Sequence, residues 1–294
     1  MNMQGKVVFI TGPARGIGAE TARRLAQRGA RLALVGMEPE QLQSLAAELG
    51  SQHRWYECDV TIQADLEQAV AATLEAMGCI DVVVANAGIA THGTVRVTDI
   101  DALTRVIDVN LVGVMRTVHA TLSSLISSRG YYLLVSSAAA FTALPGMAAY
   151  AASKAGVEQF GNVLRLEVAH TGVHVGLAHM TWIDTDMVRD IRHDMKSFDR
   201  VLRQLPGVFG KLTSVEQCAD AFVDAIEKRS RKVFVPSALS RMSAIRALIN
   251  SEWLERRNLE RAGAMVQVAE REALRQPRAF GEHSVGKGKV KQQT

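Results

Sequence analysis

Tyr150 and Lys154 stand four residues apart in a stretch of helical character. On a helix both side chains leave the same face, about 6 Å apart along the axis. Tyrosine ordinarily titrates near pH 10, too high for acid/base work near neutrality, whereas an adjacent ammonium favours the phenolate and lowers that value. The pair is a credible proton-transfer device. Ser137 lies thirteen residues before Tyr150 and follows the apolar run Tyr131–Ser136. Strand ends of open α/β sheets face the ligand crevice, where a hydroxyl can hydrogen-bond a substrate oxygen. Each residue alone also has a plainer reading: a solvent-facing tyrosine, an unrelated lysine, a turn serine.

A second constellation opens the chain. The run Thr11-Gly12-Pro13-Ala14-Arg15-Gly16-Ile17-Gly18 follows an apolar stretch and precedes an amphipathic one. Glycines let a backbone turn tightly and approach a phosphate without a Cβ in the way. The helix start beyond them offers free N–H groups and a positive dipole end. The spacing is GxxxGxG rather than the commoner GxGxxG. By itself it could be no more than a glycine-rich helix entrance.

These residues need a frame, and the pattern supplies one. Strands are expected at Lys6–Thr11, Arg31–Val35, His53–Cys58, Asp81–Ala85, Tyr131–Ser136, Val173–His179 and Lys232–Val235. Helices are expected at Gly16–Arg28, Glu38–Leu49, Ile62–Met77, Tyr150–His170 and Ser214–Lys228, with a long one over Asp99–Arg129 broken near Asn110. Runs such as Val82-Val83-Val84 suit strands buried on both faces. Strand–helix alternation predicts an α/β fold with a doubly wound parallel sheet, its right-handed crossovers placing helices on both faces. Asp184–Leu212 lacks strand character and has the length of an insertion that acts as a lid. Beyond the last strand, Ala238–Asn250 and Trp253–Arg275 read as helical, and Gly281–Thr294 as a basic, disordered tail. The organisation expected is a main domain over 1–236 and a helical C-terminal extension over 237–294.

With 294 residues, 48% hydrophobic and 22% charged, the chain is long and apolar enough for a full core without disulfides or a structural metal. The net charge of +4 is uneven: from Arg241 onward there are 11 Lys/Arg and 6 Asp/Glu, leaving 23 and 24 before it. The basic character thus belongs to the C-terminal segment; its tail could touch acidic lipids or nucleic acid but reads as solvated, so no nucleic-acid partner is expected. Cys58, Cys79 and Cys218 are far apart, which disfavours a disulfide framework and suits a cytoplasmic setting. His92, His119, His170, His174, His179 and His193 have no ligand spacing, so no metal site is expected. The first ten residues lack a signal-peptide core, and no apolar window of spanning length is seen.

Taken together, Thr11-Gly12-xxx-Gly16-x-Gly18, Asp59, Asn86-Ala87-Gly88, Asn110, Ser137 and Tyr150-xxx-Lys154 resemble the short-chain dehydrogenase/reductase family in order and spacing, over about residues 4–236. The resemblance implies a Rossmann-like sheet of about seven strands with a nicotinamide dinucleotide at its carboxyl edge. It implies catalytic roles for Asn110, Ser137, Tyr150 and Lys154. Tyr150 would be the acid in ketone reduction and the base in alcohol oxidation, and Ser137 would polarise the carbonyl. Lys154 would lower the tyrosine pKa and hold the nicotinamide ribose. Asn110 would interrupt its helix and hold a water of the proton relay. Cofactor contacts would come from Gly12, Arg15, Gly16, Ile17, Gly18, Asp59, Val60, Asn86, Ala87, Gly88, Tyr150, Lys154, Ile183 and Thr185. Asp59 would meet the adenine edge; its plainer reading is a helix cap. Where the family usually has Pro-Gly, this chain has Met180-Thr181, which alters the loop that seats the nicotinamide.

Cofactor choice turns on charge. Val35 is followed by Gly36 and Met37, with no acid until Glu38; NAD users commonly carry an acid at the end of the second strand. Arg15 stands where the family often places a basic residue selecting an adenine 2′-phosphate, so NADP(H) is favoured over NAD(H). Leu144, Met147, Trp182, Met187 and Phe198 are candidates for an apolar substrate wall, which would suit a lipid- or steroid-like ketone or alcohol; the plainer and commoner reading of such residues is core packing. Two alternatives are a non-catalytic dinucleotide sensor or interaction protein, and a 3-oxoacyl-thioester reductase. The resemblance implies a homodimer or homotetramer. The segment from Ala238 to Arg275 is open to three roles: covering the substrate site, packing on a partner subunit, or peripheral contact with a membrane.

Overall fold

The computed structural model describes residues 1–91, 93–205, 207–246, 252–276 and 279–281. His92, the end of the Ala238–Asn250 helix and the basic tail after Gly281 fall outside the described residues.

All seven expected strands form: β1 (Val7–Thr11), β2 (Arg31–Gly36), β3 (Arg54–Glu57), β4 (Val82–Ala85), β5 (Tyr131–Val135), β6 (His174–Met180) and, last, Lys232–Val235. A short extra pair, β7 (Trp182–Ile183) and β8 (Leu212–Thr213), precedes that last strand in the chain, which is therefore β9. The seven-stranded sheet has the order β3-β2-β1-β4-β5-β6-β9 and is parallel throughout. The order reverses direction between β1 and β4, so the crevice at their carboxyl ends is the switch point where ligands bind in such sheets.

Strand alternation sorts the core into two layers. Val8, Ile10, Leu32, Leu34, Val82 and Val84 face one side. They meet α1 (Gly16–Gln27), α2 (Pro39–Leu49) and α9 (Val215–Lys228) through Leu25, Leu42 and Phe222. Val7, Phe9, Val35, Val83 and Leu134 face the other side. There they pack on α3 (Gln63–Met77), α5 (Gly113–Ser128) and α6 (Ala148–Glu167) through Leu66, Val118 and Val157. Truncating such fully buried side chains to alanine costs roughly 2–5 kcal/mol each.

The expected break near Asn110 is a widened turn rather than an interruption. α4 (Ile100–Ile107) runs into a π-turn over Asp108–Val112 and on into α5. The Gly113 N–H donates to the Asp108 carbonyl five residues back, and such π-bulges recur at functional sites. The run Ile100–Ser128 is long and apolar enough to cross a membrane by length and composition, but here Val114, Val118 and Leu125 bury its apolar face under the sheet.

The insertion after β7 folds as α7 (Asp186–Asp194) and α8 (Phe198–Gln204), closed at its base by the β7–β8 pair. Beyond β9 come α10 (Leu239–Ala244) and the long α11 (Glu252–Ala273). A bridge between Thr91 and Phe280 carries the chain back across the body.

Candidate active site

β1 delivers Thr11 to the carboxyl edge, and its hydroxyl accepts from the backbone N–H groups of Asn86 (3.1 Å) and Ala87 (3.2 Å). The Asn86 amide in turn donates to the carbonyls of Thr11 (3.1 Å) and Gly12 (3.0 Å). The turn after β1 and the turn after β4 are thus laced into one unit. The glycines are what allow it. A Cβ on Gly12, which has φ +66°, would sit 2.8 Å from the Ala87 Cα. One on Gly18 would meet both the Asn86 amide and the Gly12 carbonyl at 2.6 Å. Gly16, at φ +57°, lies under Thr185, whose methyl would be 3.3 Å from an added Cβ. Ile17 packs against the core beneath the turn.

No acid occupies the first turn of α1, and its N-cap Arg15 makes no side-chain cap bond. A cradle of bare backbone ending at an uncompensated helix start fits a pyrophosphate. The residues present therefore fit a dinucleotide. Arg15, however, pairs with Glu38 at 3.2 Å, so the cation that the sequence assigns to a 2′-phosphate already faces an acid.

Asp59 is held firmly rather than acting as the cap of α3. One carboxylate oxygen accepts from the Thr61 N–H (2.9 Å) and hydroxyl (2.7 Å), and the other from Arg105 (3.1 Å). Burial opposes its charge, but these bonds outweigh it and hold the carboxyl below its ordinary range. Val60 is buried against Gly113 at the start of α5.

Asn110, fully buried in the π-turn, clamps the backbone of Ile89. It accepts from the Ile89 N–H at 2.8 Å and donates to the Ile89 carbonyl at 2.9 Å. It also donates to the Ser153 hydroxyl (3.2 Å), which donates to the Tyr150 carbonyl at 2.7 Å. Gly88 leaves the room: a Cβ there would be 3.3 Å from the Asn110 carbonyl oxygen and 3.5 Å from the Lys154 ammonium.

Ser137, Tyr150 and Lys154 converge at the ends of β5 and α6. The Ser137 hydroxyl is near enough to the Tyr150 phenol to favour its ionised form; it accepts from the Ala139 N–H at 3.2 Å and donates to the Met180 carbonyl at 3.4 Å. Lys154 is buried, donates to the Val135 carbonyl at 2.9 Å and stands 5.6 Å from the centre of the Tyr150 ring. Ser136 fixes the same turn of helix by donating to the Lys154 carbonyl at 2.8 Å.

The electrostatics correct one expectation. Burial pushes the Tyr150 phenol up, and the nearby Ser137 hydroxyl only partly offsets this. Burial also pulls the Lys154 ammonium down to about 8. In the free protein the ammonium, not the phenol, is the first of the pair to lose its proton as pH rises. The reason is geometric: Lys154 directs a hydrogen at Val135 and meets the aromatic face instead of the phenolic oxygen.

The Met180-Thr181 departure leaves the strand's course intact. The Thr181 N–H bonds the Val235 carbonyl (3.0 Å), Ile183 is buried in the core, and Thr185 stands at the start of α7 over Gly16, its hydroxyl donating back to the Ile183 carbonyl at 3.4 Å rather than capping the helix. Two of the apolar-wall candidates take the plainer reading, core packing. Trp182 and Phe198 pack edge to face, 5.1 Å apart, inside the insertion with Val188 and Leu202, so they serve its own small core. Thr11, Ser153, Ser136 and Arg105 are site residues without assigned roles in the sequence analysis. Thr11 stood inside the recognised motif; the others carry no spacing signal.

The short chain dehydrogenase family model matches residues 6–196. The chain belongs to the short-chain dehydrogenase/reductase family. It is an oxidoreductase family that acts on CH–OH and C=O groups with a nicotinamide dinucleotide. Among relatives, the 3-oxoacyl-[acyl-carrier-protein] reductase FabG of Escherichia coli is 30% identical over 222 residues, covering 75% of this chain and 89% of that protein. An uncharacterized oxidoreductase of Staphylococcus epidermidis is 31% identical over 183 residues, 62% of this chain and 80% of the relative. Of solved structures, an actinorhodin polyketide ketoreductase variant with NADPH superposes at TM-score 0.69 with 29% identity, covering 75% of this chain and 89% of that one. A Burkholderia phymatum family member in complex with NAD, at 22% identity, shares the fold at TM-score 0.75 over 85% of this chain and 95% of its own. The family match ends at residue 196, so α11 and the strand bridge at Phe280 lie outside it.

Proposed function

We propose that this family member is an NADP(H)-preferring oxidoreductase interconverting a free, apolar ketone and its alcohol, with Tyr150 as the acid/base. The observation that carries this reading is the convergence of Ser137, Tyr150 and Lys154 beside the Asn110 clamp, at the carboxyl edge where the glycine turn ends. Gly12, Gly16 and Gly18, backed by Asn86, Ala87, Gly88, Asp59 and Val60, would hold the dinucleotide, with Ile183 and Thr185 closing over it. When bound, the dinucleotide supplies or accepts the hydride. Tyr150 gives its phenolic proton to the substrate oxygen in reduction and takes it back in oxidation. Ser137 donates a hydrogen bond to the same oxygen, favouring the charge that develops there. Lys154 keeps a positive charge beside the phenol, and the Asn110 clamp fixes the backbone on which the site rests.

Arg15 supports NADP(H) over NAD(H), since a guanidinium suits a 2′-phosphate. The Arg15–Glu38 pair favours a second reading, NAD(H), because a 2′-phosphate must compete with the Glu38 carboxylate. Residues 1–236 would form the catalytic unit. Exposed Met115, Ile126, Val163 and Leu166 on α5 and α6 support a homodimer or homotetramer through those helices. The three free thiols, Cys58, Cys79 and Cys218, support a cytoplasmic setting.

The test is titration of NADPH and NADH, followed by a panel of free ketones, alcohols and ketoacyl carriers with each cofactor. Turnover of free apolar ketones with tighter NADPH binding is expected. Preference for ketoacyl carriers would favour a thioester reductase, and tight NADPH binding with no turnover anywhere would favour a sensor. Arg15→Ala should weaken NADPH by roughly tenfold and leave NADH unchanged, the size of one charge-assisted contact.

A further inference from the structure

Phe280 is buried, only 9% exposed, and packs with Ala102 and Val106 of α4 against Ile89, Ala149 and Tyr150. Two of these neighbours belong to the site: Tyr150 itself, and Ile89, whose backbone Asn110 clamps. The segment that brings Phe280 there is tied at both sides of the crevice. On the side of the loop after β4, Glu270 of α11 accepts from the Thr94 hydroxyl at 2.7 Å and from Arg96, whose Nε lies at 3.0 Å. Gly93, at φ +110°, lets Ala273 approach that loop, an added Cβ falling 3.0 Å from the Ala273 Cβ. On the side of the insertion, Glu272 accepts from the Ser197 N–H (3.0 Å) and hydroxyl (2.5 Å), and Gln276 donates to the Asp194 carbonyl at 2.8 Å. Thr91 then pairs with Phe280 as an antiparallel bridge, and Gly281 abuts Asp190 of α7, an added Cβ falling 2.5 Å from its carboxylate.

We propose that this C-terminal segment is a strap forming one wall of the substrate site, and that Phe280 is the residue that limits how bulky a carbonyl substrate can be. The inference rests on the catalytic reading of Tyr150 given above and adds the residue that sets specificity. The contacts support it in three steps. A ring in the apolar cluster that also takes in the acid/base residue borders the space that the group flanking a carbonyl would enter. Its neighbours Ile89, Ala102, Val106 and Ala149 are apolar, so the wall selects by volume rather than by hydrogen bonding. The anchors Glu270, Glu272 and Gln276 bind parts of the body that do not belong to the glycine turn, so the strap can alter substrate fit without altering dinucleotide binding. One methylene in an apolar pocket changes discrimination by about 10–200-fold, and removing a phenyl ring opens more than that.

The test compares full-length wild type with Phe280→Ala, Phe280→Trp and Glu270→Gln on methyl ketones of rising alkyl and aryl size, with NADPH affinity measured in parallel. Phe280→Ala should raise kcat/KM for the bulkiest ketone relative to the smallest by at least about tenfold, and Phe280→Trp should lower that ratio. Glu270→Gln, which keeps the ring but loosens an anchor, should shift the ratio in the alanine direction by a smaller factor; it also serves if Phe280→Ala fails to fold. NADPH affinity should stay within about twofold in all three. Activity with an unchanged size ratio overturns this inference alone. A uniform rise for every ketone would make Phe280 a plug rather than a selector, and also overturns it. Inactivity of all proteins on every ketone overturns the catalytic reading and this inference with it.

Discussion

The two sides of the crevice are built by different means. On the dinucleotide side, small residues and backbone do the work: three glycines, the Thr11 hydroxyl and the Asn86 amide fasten two turns through contacts of 3.0–3.2 Å. On the substrate side, large side chains and long-range ties do it: α7 and α8 form their own apolar cluster, and α11 with Phe280 reaches back over the loop after β4. The first side tolerates almost no added atom. The second is a matter of volume and can be remodelled. A ligand common to many enzymes needs a fixed seat, whereas substrate choice needs a wall that can change without disturbing that seat.

That contrast can be broken by substitutions on either side. Gly18→Ala places a Cβ where backbone and amide already stand at 2.6 Å, and the two turns must separate. Dinucleotide affinity should fall by roughly tenfold or more, the cost of losing one backbone hydrogen bond to a charged phosphate. Stability should fall by about 1–3 kcal/mol; fluorescence titration and urea unfolding measure the two. If Gly18→Ala bound NADPH as wild type does, the rigid-seat description would be wrong.

The proton-handling groups give the next effect. In the free protein Lys154 sits at about 8 and Tyr150 is raised above its ordinary value. The ammonium is present below that point and lost as pH rises through it. The kcat/KM for ketone reduction, which reports the free enzyme, should therefore decline above about pH 8, approaching tenfold per unit. Lys154→Arg, charged throughout, should remove that limb. A limb that persists in the arginine variant would assign it to another group.

Asn110→Ala would leave the Ile89 N–H and carbonyl without partners, at a cost of about 1–3 kcal/mol in denaturant unfolding. The loss should appear with or without NADPH, because the clamp lies within the protein.

The smallest effect lies at Glu158, four residues beyond Lys154 and ringed by His179, Lys232 and Arg246. Burial raises its carboxyl, but His179, Arg246 and Lys232 outweigh this and bring it to about 2. With a folded pKa below the unfolded value near 4.5, its stabilisation is complete above that value and lost as pH falls towards 2. Glu158→Gln should flatten the acid limb of the stability curve by up to about 1.4 kcal/mol per pH unit. An unchanged limb would place acid sensitivity elsewhere.

The parts legible in the sequence are those governed by local periodicity and backbone demands. Six of the seven strands carry an apolar run short enough to read directly, whereas the edge strand β3, Arg54-Trp55-Tyr56-Glu57, is half-exposed and less regular; Gly12 and Gly18 announce the turn because no other residue fits there. Asn110 was legible as a helix irregularity, although a π-turn and a break look alike in sequence. The Trp182–Phe198 pair is open to two readings in sequence, because an apolar residue near a site can face the ligand or its own element, and only packing decides. The direction of the Tyr150 shift was hidden for a similar reason. The i, i+4 spacing puts Lys154 on the right face, but whether the ammonium reaches the phenol oxygen or the Val135 carbonyl depends on the rotamer and burial. The strap, with anchors whose partners lie between 75 and 176 residues away in sequence, has no local pattern at all.

The most direct measurement is single-turnover ketone reduction by Tyr150→Phe at saturating NADPH, with the dinucleotide affinity determined on the same preparation. The phenylalanine ring keeps its place in the apolar cluster and under Lys154 and removes only the proton donor. We expect NADPH affinity within about twofold of wild type and a turnover lower by about a thousandfold, within the range for loss of a positioned acid. A variant that binds NADPH normally and reduces ketone within tenfold of wild type would contradict the assignment of Tyr150 as the acid.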